Sequence, residues 1–430
     1  MDKMFITRRA EIASKLPKDS VLIVNGAAIS YRNADTSFSF RQDSNFWYLS
    51  GFNEPDATIF IKNLNGKINT YIFVQPKDKL KEIWDGYIAG PSGAKSDYGF
   101  DFAYDNNELE KKAPGILQGA SKVLYEIGKT PEFDKKVNAW IRVAESKDRH
   151  SHKIDPSDAT ETLGMARLIK SDSEITLIGK ACEISANAHM EAMKFVKPGL
   201  NEQDLEAFYV YQFAKNGGRF VAYNPIIAGG ENACILHYVD NSDPLQDGDL
   251  VLVDAGAEYQ NYASDITRTY PVNGKFSSNQ LAIYEIVLEA HKQAIESVKP
   301  GRSVIEPQKI SERVITQGLI DLKILKGSLD ENIENETYKQ FYMHKIGHWM
   351  GLDVHDAGAY MENNQFRKFE PGMVTTIEPG IYISSDADVA DDWKGIGIRI
   401  EDDILVTKEG NNNLTSAVPS SPKEIEALMA

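Results

Sequence analysis

Apolar residues gather in short unbroken runs along the first 150 positions. VLIVNGA, ATIFIKN, TYIFVQP and KVLYEIG are rich in β-branched and aromatic residues, end in Gly, Pro or Asn, and predict buried strands. DNNELEKKAPGIL and PEFDKKVNAWIRVAES, between or after them, predict helices. Strands alternating with helices around a mostly buried sheet give an α/β N-terminal domain. Ahead of it, Ile6, Ala10, Ile12, Ala13 and Leu16 suit a surface helix ended by Pro17. The stretch HSHKIDPSDATETLGMARLIK is polar and reads as a connection. Ser171-Asp172-Ser173-Glu174 then forms a capping box that opens a new helix. The expected domains are therefore 1–171 and 172–430. In the second, helices over about 172–196, 201–216, 278–298 and 303–318 alternate with hairpins, an α+β pattern. KILKGSLDENIENETYKQ is a polar surface excursion.

The second domain repeats itself. LQDGDLVLVDAG and FEPGMVTTIEPG share the order Gly, five residues, acid, one residue, Gly, so that Gly248 matches Gly372, Asp254 matches Glu378 and Gly256 matches Gly380. Upstream of each, a helical run stops at Val196-Lys197-Pro198-Gly199 or Val298-Lys299-Pro300-Gly301. Two copies of one helix-and-strand unit, facing each other across a pseudo-two-fold axis, would bring their acids to a central site.

Those acids stand in or beside strand-like runs. A tight reversal at Tyr259-Gln260 would set Asp254 opposite Asp265. A symmetric reversal in VTTIEPGIYISSDADVADDWKGIGIRIEDDILV sets Glu378 opposite Glu401. Like charges facing across an antiparallel pair destabilise it. Two such pairs beside core-like residues (Val251, Leu252, Val253, Ile377, Ile400) call for a counter-charge, and bound cations supply one.

Bulk properties narrow the classes. A chain of 430 residues is long enough for two domains, and its net charge of −16 argues against nucleic-acid or anionic-membrane partners. No apolar run approaches a membrane span, and MDKMFITRRAEIASKLPKDS lacks a signal-peptide core. Cys182 and Cys234, with no CxxC, fit a reducing compartment. The expectation is a cytoplasmic protein.

Histidines cluster near the acids: His344, His348 and His355 in MHKIGHWMGLDVHD, and His237 in ACILHYVD. His344 and His348 are four apart, but the nearby glycines favour a turn and strand over a helix. There is no HExxH and no GxSxG. Asp254, Asp265, Glu378, Glu401 and His348 offer more donors than one tetrahedral zinc takes, and suit two divalent ions sharing carboxylates. Mn²⁺, Co²⁺ or Fe²⁺ fit, and such a pair points to hydrolysis.

With FRQDSNFWYLSGFNEPDA, EIWDG, LVDAGAEYQNYASDITRTYPV, HWMGLDVHD, TIEPGIYI and GIRIEDD in place, the chain resembles the Xaa-Pro aminopeptidases (aminopeptidase P) among the pita-bread metallopeptidases, over nearly its whole length. The resemblance implies an α/β N-terminal domain and an α+β pita-bread catalytic domain with internal pseudo-two-fold duplication. It implies Asp254 and Asp265 on one metal, His348 and Glu378 on the other, and Asp265 and Glu401 bridging. A metal-bridging hydroxide would attack, with Glu378 as general base. His237 and His355 would line the reacting centre, His344 the proline side, and Arg399 a group further along the peptide. Tyr382 would support the site by hydrogen bonding. Asp35 and Trp84 match positions that reach a neighbouring subunit's site in oligomeric relatives, implying a homo-oligomer, dimer or tetramer. The implied substrates are peptides with proline second, whose tertiary amide lacks the N–H that general proteases grip. The alternatives are a prolidase restricted to dipeptides and a non-catalytic peptide-binding protein on the same fold.

Overall fold

A computed structural model describes residues 3–147 and 153–430; the His150–His152 end of the polar connection lies outside the described residues. The chain divides into two units, Met1–Ala166 and Arg167–Ala430.

The first unit is built on a six-stranded sheet, in the order Phe102–Asp105, Lys67–Val74, Thr58–Leu64, Ser20–Asn25, Lys122–Tyr125, Asp155–Asp158. The sheet is mixed. Ser20–Asn25 pairs antiparallel with Thr58–Leu64 and parallel with Lys122–Tyr125. Its central strands coincide with the apolar runs, because only strands covered on both faces need side chains apolar throughout. Phe60, Phe73, Val123, Val137 and Trp140 pack together on one face. The polar connection is more structured than its composition suggests: Asp155–Asp158 adds parallel to Lys122–Tyr125, and Thr160–Leu168 is a helix. An exposed edge strand has no apolar alternation to announce it, and it tolerates Pro156.

In the second unit the helices Asp172–Phe195, Glu202–Lys215, Ser278–Ser297 and Glu306–Asp321 accompany small antiparallel sheets. Ile226–Gly229, Leu250–Asp254 and Thr267–Pro271 form one sheet; Val374–Ile377, Asp402–Val406 and Asn411–Asn413 form its counterpart. Gly380–Ile383 pairs with Ile396–Arg399. Helix and strand residues such as Ile184, Leu205, Val251, Tyr270, Ile283 and Ile398 share one core.

The duplication is visible in the backbone. The Gly199 N–H donates to Leu245 O at 2.9 Å, and the Gly301 N–H donates to Phe369 O at 2.9 Å. Three residues further on, Gly248 and Gly372 take φ of 90° and 92°, a conformation that glycine adopts without steric cost. Each then feeds a strand leading to an acid.

The two hairpins differ in how they meet expectation. In the second, Ile377 pairs with Asp402 and Gly380 with Arg399, a single register that sets Glu378 opposite Glu401. In the first, the chain reverses at Gln260-Asn261, both with positive φ, between the bridged residues Tyr259 and Tyr262. The turn centre lies one residue beyond the expected place, so the register moves by two. Asp254 therefore faces Thr267, not Asp265.

Candidate metal centre

Each acid sits where a strand starts or stops. Asp254 ends Leu250–Asp254, Asp265 precedes Thr267–Pro271, Glu378 follows Val374–Ile377, and Glu401 precedes Asp402–Val406. At these junctions a side chain can leave the ladder and enter the space between the half-sheets. Backbone bonds fix the junctions: Glu378 N–H to Ile346 O at 2.8 Å, and Glu401 N–H to Thr267 O at 3.0 Å.

His348 arrives on an irregular segment, neither the helix its spacing allows nor a regular strand. Thr376 N–H donates to His348 O at 2.9 Å, and Trp349 bridges Thr375. The close approach needs a glycine, since a Cβ on Gly347 would stand 2.0 Å from Thr376 O.

The ligand-capable atoms of Asp265, His348 and Glu401 all lie within 4.8 Å of one another. His348 Nε2 is 3.4 Å from Asp265 Oδ2 and 3.9 Å from Glu378 Oε1. Its Nδ1 faces Trp349 O at 3.1 Å. With the proton on Nδ1 donated to that carbonyl, Nε2 presents a lone pair to the acids, the arrangement of a metal-ligating imidazole.

The charges ask for a cation. Burial pushes Asp265 up, and Asp254 adds to the effect. Burial raises Glu401 well above the ordinary range, with Asp265, Glu378 and Asp254 contributing. Glu378 rises to about 7 through burial, although His348 and Arg399 oppose it. Burial works against a charged His348, yet Asp265 and Glu378 outweigh it and lift the ring to about 9. Among the described residues, buried Asp254 Oδ1 has no hydrogen-bond partner. Crowded carboxylates with strained ionisation, an orphaned oxygen and a correctly presented imidazole fit divalent cations.

These residues open onto a cavity of about 670 Å³ that Asp254, Asp265, His348, Glu378 and Glu401 line. His237, His344, His355 and Arg399 line it too. The His348 and His355 rings are 4.2 Å apart. His344 Nδ1 donates to Lys345 O at 2.8 Å, and Nε2 accepts from the Tyr382 hydroxyl at 2.8 Å. Burial and nearby Arg399 lower it to about 4, so it is neutral near pH 7.

Arg399 is committed to groups of the site itself. It donates to Asp254 Oδ2 at 2.7 Å, to Tyr382 Oη at 3.1 Å and to Thr267 Oγ1 at 3.2 Å. Tyr382 thus touches Arg399 and His344.

Asp35 and Trp84 belong to the first unit, where both are exposed. Trp84 stands on the helix Lys79–Asp85, which has no buried residue. Sequence reasoning missed three groups that hold the acids. Tyr223 donates to Asp265 Oδ1 at 2.6 Å, Thr267 donates to Glu401 Oε2 at 2.7 Å, and Asp403 Oδ2 accepts from Asp265 N–H at 2.9 Å. Thr267 had a signal, two residues from Asp265 on an extended segment; Tyr223, over forty residues upstream, had none.

Comparison with known proteins agrees with this architecture. Residues 176–408 match the model of metallopeptidase family M24, and residues 5–125 match that of the aminopeptidase P N-terminal domain. The chain is 45% identical to a Xaa-Pro aminopeptidase of Haemophilus influenzae, over 99% of this chain and 96% of that one. The solved structure of Pseudomonas aeruginosa aminopeptidase PepP superposes with a TM-score of 0.96 at 44% identity, covering 99% and 97% of the two chains. Zinc-substituted Escherichia coli aminopeptidase P in complex with product gives a TM-score of 0.96 at 40% identity, covering 99% and 98%.

Proposed function

The chain belongs to metallopeptidase family M24, in its aminopeptidase P group, and on that footing we propose that it is a hydrolase that removes the N-terminal residue from peptides with proline second. The observation that carries this reading is the cluster of Asp265, His348 and Glu401 donor atoms within 4.8 Å, inside the same cavity as Glu378 and Asp254. Residues 1–171 would form the N-terminal domain and 172–430 the catalytic one.

Asp254, Asp265, His348, Glu378 and Glu401 would hold two divalent ions, with Mn²⁺ the leading candidate. Such ions act as Lewis acids and make water a nucleophile near neutral pH. Glu378 takes the proton of the attacking water and returns it to the leaving proline nitrogen. An amide nitrogen must be protonated as it leaves, and a carboxylate placed between the water and that nitrogen can carry the proton from one to the other. His237 and His355 meet the carbonyl as it becomes tetrahedral. Neutral His344, anchored to Tyr382, packs beside the proline ring.

Similarity over nearly the whole length to Xaa-Pro aminopeptidases of Haemophilus influenzae and Escherichia coli supports an aminopeptidase over a prolidase. The further reading is a protein of the cytoplasm that assembles as a homo-oligomer, dimer or tetramer; the exposed apolar residues Leu80, Ile83, Trp84 and Tyr87 support the assembly alone. Two measurements test the proposal. Glu378→Gln should lower kcat by at least about 10²-fold, the lower end for lost acid–base catalysis, with metal content measured in parallel. Wild-type protein should cleave Xaa-Pro tripeptides and longer peptides at the first bond; activity confined to dipeptides would make it a prolidase.

A further inference from the structure

Buried Asn241 holds the far end of the loop that carries His237, accepting from Ile227 N–H at 3.0 Å and donating to Pro225 O at 2.9 Å. Ile235, His237, Val239 and Asp240 are exposed, and Leu236, His237 and Val239 face the cavity. Tyr238 turns inward and is buried. Directly beneath lies Glu202, the first residue of the helix Glu202–Lys215, whose relative exposure is 0%.

Glu202 receives four hydrogen bonds from this loop and its flanks. Oε1 accepts from Gly229 N–H at 2.7 Å and from Asn232 Nδ2 at 3.1 Å. Oε2 accepts from Tyr238 Oη at 2.7 Å and from Asp243 N–H at 2.9 Å. The Glu202 N–H itself donates to Asp243 O at 2.9 Å. One carboxylate therefore clamps the loop where it leaves the strand Ile226–Gly229, at Tyr238 beside His237, and where it returns at Asp243. A carboxylate is suited to this because it only accepts, so both oxygens take donors with no hydrogen of its own to place. Hydrogen bonds to such an ionised acceptor are stronger than neutral ones.

We propose that Glu202 is a positioning residue for the hydrolytic reaction, acting through Tyr238 to fix His237 at the reacting centre. The proposal rests on the reading of His237 as a group that meets substrate. Glu202 itself touches none of the five metal-site residues through any bond described above. Its loss should therefore leave metal content unchanged and act on turnover through His237.

The test is a double-mutant cycle on the metal-loaded enzyme with an Xaa-Pro tripeptide. Glu202→Gln keeps the shape but turns one acceptor into a donor that faces the loop's own donors. It should lower kcat/KM by about 10- to 100-fold, the scale of a displacement near 1 Å, with metal content unchanged. In a His237→Ala background the same substitution should change kcat/KM by less than about 3-fold, since the group it positions is already gone. Equal effects in both backgrounds, or full activity of Glu202→Gln beside an impaired His237→Ala, would overturn the proposal and leave the hydrolase reading intact. Full activity of His237→Ala would overturn the proposal together with the role of His237. If Glu202→Gln does not fold, Tyr238→Phe removes only the hydroxyl next to His237. It should give a smaller loss with the same dependence on His237, and an effect that persists in the His237→Ala background counts against the clamp.

Discussion

Arg399 Nη2 donates to Asp254 Oδ2 at 2.7 Å, and both side chains are largely withdrawn from water. The bond orients a carboxylate whose other oxygen, Oδ1, has no hydrogen-bond partner among the described residues. The resemblance implies a guanidinium that meets a group further along the peptide. The geometry makes it first a holder of Asp254.

Arg399→Ala is therefore expected to weaken metal binding by about 10- to 100-fold, the usual cost of removing a group that orients a ligand. Metal titration followed by activity or calorimetry checks this. Unchanged metal affinity with weaker turnover of longer peptides alone would return Arg399 to a purely substrate-facing role.

Ionisation of the site predicts how metal and pH trade against each other. In the metal-free fold Glu378 titrates near 7 against an ordinary 4.5, so the folded state keeps a proton that the unfolded chain has released between those values. Stability from this group is present at low pH and is lost as pH rises through about 7. His348, raised from 6.5 to about 9, has the same sign across a higher window. Metal binding displaces those protons, so the melting temperature gained on adding Mn²⁺ should widen from about pH 5 to about pH 8. His189 and His291 act oppositely. Burial lowers each to about 4, so they withdraw stability as pH falls from 6.5 towards 4, with or without metal. Calorimetry of both forms across this range is the check; a metal-induced gain that shrinks with rising pH would contradict the assignment.

Much of this was legible in the chain. Gly248 and Gly372 mark equivalent turns, and the acids that follow them by six residues sit at equivalent strand ends. The Glu378–Glu401 register was readable because its two strands run symmetrically about their loop. The Asp254 register was not, because the reversal is set by Gln260 and Asn261 in left-handed backbone, which no apolar pattern encodes. Asp155–Asp158 was hidden by its exposed, polar edge position. Glu202 was invisible for another reason: its partners lie up to 41 residues away, and only folding brings them to one carboxylate.

The segment carrying His355 has its own buried anchor. Asp356 accepts from Lys170 Nζ at 3.0 Å and also pairs with Arg167, which donates in turn to Asp353 at 2.6 Å. Burial alone would raise Asp356, but Lys170 and Arg167 hold it below the ordinary range. Asp356→Asn would leave buried Lys170 without a carboxylate and Arg167 with Asp353 alone, and should cost about 3–5 kcal/mol of stability. Denaturant unfolding measures it. A loss below about 1 kcal/mol would mean that Lys170 and Arg167 find other partners or water.

Trp84 tests what the first unit contributes. The ring is 87% exposed, on a helix with no buried residue, beside exposed Leu80, Ile83 and Tyr87. Nothing in its own unit is stabilised by that exposure, so Trp84→Ala should leave stability within about 0.5 kcal/mol. If the ring meets a second copy of the chain and its substrate, the same substitution should raise KM for Xaa-Pro tripeptides or shift the mass in sedimentation. Both effects should grow on dilution, because an assembly contact depends on concentration and a fold contact does not. Loss of stability without either effect would make Trp84 part of the fold, and wild-type values in all three measurements would remove it from the functional surface.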